Sequence, residues 1–109
     1  MNSGKEDRNE NSFDGMDFEW YPHKAAANLK KHQVSFDEAM TIFGDKMHVV
    51  FPDREHSYDE ERFLAIGSSN KSRLIVLCFT ELYPKLRLIS ARLAEDWERR
   101  EYEIANEQE

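Results

Sequence analysis

The sequence predicts an α+β domain built from two N-terminal helices, an antiparallel meander of strands and one closing helix. Three observations carry that prediction. Helical periodicity with start and stop signals fills residues 22–43, short β-branched and aromatic runs broken by turn residues fill 47–90, and helical periodicity returns from Ala94. A chain of 109 residues is long enough for one modest core and no more.

Met1 to Asp17 is polar, acidic and without periodicity, so residues 1–17 are expected to form a disordered leader and 18–109 the folded domain. Order is expected to begin at Phe18-Glu19-Trp20, an aromatic segment suited to a sheet edge. Pro22 fits the first turn of a helix, where its missing N–H is no loss, and the helix is expected to run through Ala25-Ala26-Ala27-Asn28-Leu29 to about His32. Ser35 with Glu38 reads as a capping box, Val34 as its hydrophobic staple, and Gly44 closes the second helix, Phe36 to Phe43.

A strand from Met47 to Phe51 meets the turn pair Pro52-Asp53, and the charged stretch Asp53 to Glu61 reads as a loop. Arg62 to Gly67 is the next strand, and Ser68 to Lys71 the turn into Arg73 to Thr80. That run is apolar on both faces and belongs in the middle of the sheet. Leu82-Tyr83-Pro84 turns the chain into the Lys85 to Ser90 strand. The last helix is expected over Ala94 to Ala105, with Trp97, Glu101 and Ile104 on one face and Asp96 and Glu98 favouring its positive end. Trp20 and Trp97 both read as core.

Composition excludes several classes. No apolar run approaches membrane-spanning length, and the first residues lack the apolar stretch of a secretory signal, so the chain reads as cytoplasmic. The single cysteine, Cys78, lies inside an apolar run and reads as a buried thiol. No Cys/His spacing suggests zinc, and the acidic 53–61 loop lacks the glycine and alternating ligands of a calcium loop, so no metal or cofactor is expected. The helix pair 22–43 has a helix-turn-helix outline, but Asp37 and Glu38 would set acids against DNA phosphates.

Charge is the strongest functional signal. The formal net charge is -7, yet Arg62 to Arg92 holds six Lys/Arg against one acid, Glu81. A basic island on an acidic chain points to a polyanionic ligand. Within it, Leu86-Arg87-Leu88-Ile89-Ser90-Ala91-Arg92 delivers two arginines and a hydroxyl to a strand-to-helix junction. On strict alternation Arg87 shares a face with Lys85 and Ile89, opposite Ser90.

In order along the chain, Phe18-Glu19-Trp20, Lys24-Ala25-Ala26-Ala27-Asn28-Leu29 with Lys31-His32, and Val34-Ser35-Phe36-Asp37-Glu38-Ala39 resemble the BrnT family of toxins. So do Glu60-Glu61-Arg62 before a strand ending Ile66-Gly67, and Leu86 to Arg92 followed by Glu98-Arg99-Arg100 and Tyr102. The resemblance implies a RelE-like fold and a bacteriostatic toxin that cuts RNA. It implies a BrnA-like antitoxin as partner, in a heterotetramer that meets operator DNA only through the antitoxin. The chain departs from the pattern at Tyr21, where the family has Asp, and at Gln33, where it has Gly. It departs again at Leu93-Ala94-Glu95-Asp96-Trp97, where the family continues with basic residues. The acids next to the presumed phosphate site leave open an attenuated homologue that binds its antitoxin without cutting RNA.

Metal-free RNA cleavage needs a base for the 2′ proton, an acid for the 5′ oxygen and cations on the phosphoryl oxygens. Arg62, Arg87 and Arg92 are candidates for the cations, because a planar guanidinium can meet two phosphate oxygens. Arg87 alone is equally well read as a sheet-face ion pair with Glu81 or Glu61. Glu61 and His32 are the candidates for proton transfer, with Glu81 behind them, and His56 reads as plain loop. Lys31, Arg73, Lys85 and Ser90 complete the expected RNA-binding set.

Overall fold

The chain enters its sheet through a hairpin. In the computed structural model, which describes residues 7–107, β1 (Asn9–Phe13) and β2 (Met16–Trp20) pair antiparallel around Asp14-Gly15. Both turn residues have positive φ, 53° and 80°, which is the Asp-Gly signature of a type I′ turn. The strands therefore begin at Asn9 rather than Phe18, and β2 is an interior strand covered by β1. The part of the expected leader before Asp7 lies outside the described residues.

The expected helices follow. Helix α1 (Pro22–His32) has the predicted bounds. Ser35 caps α2 (Phe36–Met40) by accepting the Glu38 amide at 3.0 Å, but the Glu38 carboxylate does not return the bond of a capping box. The second helix is shorter than expected and continues as a 3-10 turn, Thr41–Gly44. The strands β3 (Val49–Pro52), β4 (Arg62–Ser68), β5 (Leu74–Leu82) and β6 (Lys85–Leu93) form the predicted meander, and α3 (Asp96–Glu107) closes the chain.

The sheet order is β1-β2-β6-β5-β4-β3. The whole is a mixed sheet, not an antiparallel one, because β2 runs parallel to β6 with Glu19 beside Arg87. Crossing one face through α1 and α2 between β2 and β3 allows that pairing; a hairpin cannot. Asn28 fixes the crossing. Its side chain donates to Val34 O (2.9 Å) and Ala91 O (2.8 Å) and accepts from Ala91 N (3.0 Å), supplying β6 with partners where the β2 pairing has stopped.

Each face has its own apolar cluster. Phe18, Trp20, Phe36, Ile75, Leu77 and Leu88 form the larger one under α1 and α2. Ile66, Leu74 and Val76 form the smaller one, with Ala94 and Tyr102 packed on it. Trp20 is 2% exposed, as expected of core, but Trp97 and Ile104 are 52% and 46% exposed. The rotation of α3 corrects the sequence reading, because the inward positions are Glu98 and Tyr102. A buried ion pair at Glu98, not apolarity, decides which side of the helix faces in.

Candidate active site

The functional candidates separate by sheet face. Register places Glu19, Arg87, Thr80 and Arg62 in one row across β2, β6, β5 and β4, on the side away from α1 and α2. Ser90, Cys78 and Leu64 form the next row, and Arg92, Val76 and Ile66 the one after. A β-bulge between Cys78 and Phe79 of β5, opposite Ile89, shifts the alternation. Ser90 therefore shares the face of Arg87, contrary to strict alternation. Arg92 lies within β6 rather than at its junction with the helix.

On this face a cleft of about 480 Å³ opens between α3 and the loop after β3. Leu64, Val76 and Cys78 lie at its base with Ser90, Arg92, Trp97 and Glu98 on one side and Asp53 to His56 on the other. A 3-10 turn, Arg54–His56, orders the start of that loop. Ser57 Oγ donates to Asp53 O (2.7 Å) and accepts from Arg62 N (2.9 Å), while Asp53 N donates to Arg62 O (2.8 Å). Thr80 Oγ1 donates to Glu61 O at 2.6 Å, so both ends of the loop are tied to β4 and β5.

The basic island is largely neutralised by acids from outside it. Arg92 makes a two-pronged pair with Glu98, 2.7 Å on each side, and Glu98 also accepts the Glu95 amide at 2.9 Å. Burial pushes the Glu98 carboxyl up, but the Arg92 and Glu95 hydrogen bonds outweigh it and hold the group below its ordinary value. Arg87 pairs with buried Glu19 through Nε (2.8 Å) and Nη2 (2.7 Å), and its guanidinium lies 5.0 Å from the Tyr21 ring centroid. Its partner is thus neither Glu81 nor Glu61. Lys85 holds Glu10 at 2.7 Å. Arg62 is different: its buried Nε has no hydrogen bond among the described residues and stands 3.6 Å from the nearest Glu60 oxygen.

Three expected members lie elsewhere. Lys31 and His32 end α1, and Arg73 turns to the same helix layer, where it binds Glu38 and donates to Gln33 O at 3.0 Å. The crossover puts that layer on the opposite face from Ser90 and Arg92, so His32 does not meet the three arginines. Glu61 is exposed at the mouth of β4 and does not line the cleft.

Sequence reasoning missed Asp53, His56 and Trp97. Asp53 is 8% exposed, and its carboxylate oxygens lie 2.9 and 3.1 Å from His56 Nδ1. An Asp followed three residues later by His was the available signal. The Cys78 thiol lies 3.9 Å from Asp53, and burial, with the neighbouring carboxylate, pushes it up to about 11. Trp97 stands at the rim, its Nε1 donating to Glu95 at 3.0 Å. Among the described residues no three His, Cys, Asp or Glu side chains converge in a metal-binding arrangement.

Residues 20–98 match the family model described as the ribonuclease toxin BrnT of type II toxin–antitoxin systems. The fold is similar to the crystal structure of the Brucella abortus ribonuclease toxin BrnT, at 26% identity and a TM-score of 0.55. That similarity covers 71% of this chain and 94% of the Brucella chain. No curated protein matches at significance.

Proposed function

The chain belongs to the BrnT family of ribonuclease toxins of type II toxin–antitoxin systems, and we propose that its α3-side cleft cleaves RNA without a metal ion. The observation that carries this reading is the gathering of Arg62, Ser90 and Arg92 on one open face beside a cleft of about 480 Å³. An intramolecular 2′-OH needs no metal to generate a nucleophile; the enzyme's task is to hold the phosphate and move protons.

Arg62 is the group best prepared for the phosphate. Its side chain is 33% exposed on the same sheet face, and a planar guanidinium can meet two phosphoryl oxygens. Arg92 offers the cleft the side of its guanidinium that Glu98 does not occupy, and Ser90 beside it supplies a hydroxyl. Arg87, next to Glu19 in the row and held by it, offers no free fork.

The reading includes a cytoplasmic site of action and masking by a BrnA-like antitoxin in a heterotetramer, supported by the family pattern. No described helix is long and apolar enough to cross a membrane. The pairing of Arg87 with Glu19 and of Arg92 with Glu98 favours a second reading, a homologue that binds its antitoxin without cutting RNA.

Cleavage of a defined single-stranded RNA in EDTA, with Arg62→Met alongside, separates the two. The first reading expects cleavage that survives EDTA and falls about 100-fold in the variant. No cleavage, with antitoxin binding intact, would establish the second.

A further inference from the structure

We propose that His56 is the catalytic base of this cleft and Asp53 its positioning residue, an assignment that rests on the ribonuclease reading above. None of the three proton-transfer candidates from the sequence reaches the site: His32 ends a helix on the other face, and Glu61 and Glu81 stand outside the cleft. His56 lines it directly, with its side chain 58% exposed.

The pair has the construction of an orienting dyad rather than of a surface ion pair. A carboxylate only accepts hydrogen bonds, so the contacts of 2.9 and 3.1 Å require the proton on Nδ1. That choice of tautomer leaves the Nε2 lone pair of the neutral ring for a substrate, and Nε2 has no hydrogen-bond partner among the described residues. An ordinary surface pair keeps its carboxylate in water. Here Asp53 is 8% exposed, and among the described residues its carboxylate has hydrogen-bond partners only in His56 and the Cys78 thiol. Burying a carboxylate behind an exposed imidazole fixes the ring and supports the charge it gains on accepting a proton, which is the part the acid plays in catalytic triads.

The backbone ties this dyad to the phosphate-binding residue. Asp53 N donates to Arg62 O, and Ser57 Oγ bridges Asp53 O and Arg62 N. The loop that carries His56 is thus tied to the start of the strand that carries Arg62, on the same sheet face as the cleft. O2′ forms a bond to phosphorus while its proton passes to His56 Nε2. The P–O5′ bond breaks with its electron pair going to O5′, which takes a proton from water. The products are a 2′,3′-cyclic phosphate and a 5′-hydroxyl, and the imidazolium returns its proton to solvent.

The charged and titratable groups facing His56 are Asp53, Arg54 and Glu55 from its own loop, Cys78 from β5, Arg92 from β6 and Glu98 from α3. The test compares the unaltered chain, His56→Gln and Asp53→Asn on a defined single-stranded RNA. It reads cleavage rate against pH, mass of the product termini, affinity for a 2′-O-methyl RNA that cannot react, and thermal stability. The expected result is a loss of roughly 100-fold or more in His56→Gln, the scale of general-base catalysis. Affinity and stability should be unchanged and the acid limb of the pH profile lost. Asp53→Asn should keep part of the rate with that limb displaced. Cyclic-phosphate products at a rate within threefold in His56→Gln would overturn the dyad while the ribonuclease reading stood. Absence of cleavage by the unaltered chain would overturn both.

Discussion

Arg92→Ala should destabilise the chain by about 2 kcal/mol, whatever it does to activity. The figure follows from what the truncation leaves behind. Glu98 is 1% exposed, and Arg92 holds both its oxygens at 2.7 Å. Removing one partner of a fully buried pair costs roughly 3–5 kcal/mol, because a charge is left without compensation. The Arg92 side chain is 37% exposed, so water reaches the vacated position and the Glu95 amide still serves Glu98. The expected cost therefore falls to about 2 kcal/mol, or roughly 10 °C in Tm for a domain of this size. Thermal denaturation followed by circular dichroism measures it, with Glu98→Gln and the double variant completing a cycle. A coupling of about 1 kcal/mol or more is expected. The sign against pH is fixed too. Glu98 is held below its ordinary value, so its contribution is complete above about pH 4.5 and disappears as pH falls through its folded value. A Tm for Arg92→Ala within roughly 2 °C of the parent at pH 7 would refute the buried-pair account. It would also remove the reason α3 turns Glu98 rather than Trp97 inward.

Gln33→Gly should stabilise by about 1 kcal/mol in chemical denaturation. Gln33 caps α1 at φ 59°, where a side chain is strained, and its own bond to Lys30 O is exposed. Tyr102 donates to Asp45 at 2.6 Å, and burial together with that bond pushes its hydroxyl up to about 12. Spectrophotometric titration should therefore show a late tyrosine that Tyr102→Phe removes. Cys78, held near 11, should react with a thiol reagent at pH 8 far more slowly in the folded chain than in denaturant. Trp97→Ala should cost under about 1 kcal/mol and Trp20→Ala about 3–5 kcal/mol, since one side chain is 52% exposed and the other 2%.

The sequence carried the fold wherever local chemistry decides structure. Pro22 and Ser35 mark helix starts, and the β5 run, apolar on both faces, sits between β4 and β6 as such a run must. Asp14-Gly15 is a hairpin signal that the reading of residues 1–17 as a leader passed over, because β1 is polar and mostly exposed. What stayed hidden depends on contacts between distant residues. The parallel pairing of β2 with β6 requires knowing where the α1–α2 crossing returns. The bulge that turns Ser90 towards Arg87 has no local sequence mark. The basic island looked unopposed because Glu10, Glu19, Glu38 and Glu98, its partners, lie 6 to 75 residues away in sequence. His56 looked like loop for the same reason: its role comes from a carboxylate that only the fold buries.

The central claim is that RNA is handled on the α3 side of the sheet. Binding a short 2′-O-methyl RNA to the isotopically labelled chain, followed by amide and Trp97 indole NMR shifts, tests it most directly. The account predicts perturbations confined to Asp53 to Arg62, Ser90 to Arg92 and Trp97. Perturbations centred instead on Lys31, His32 and Arg73 would contradict it.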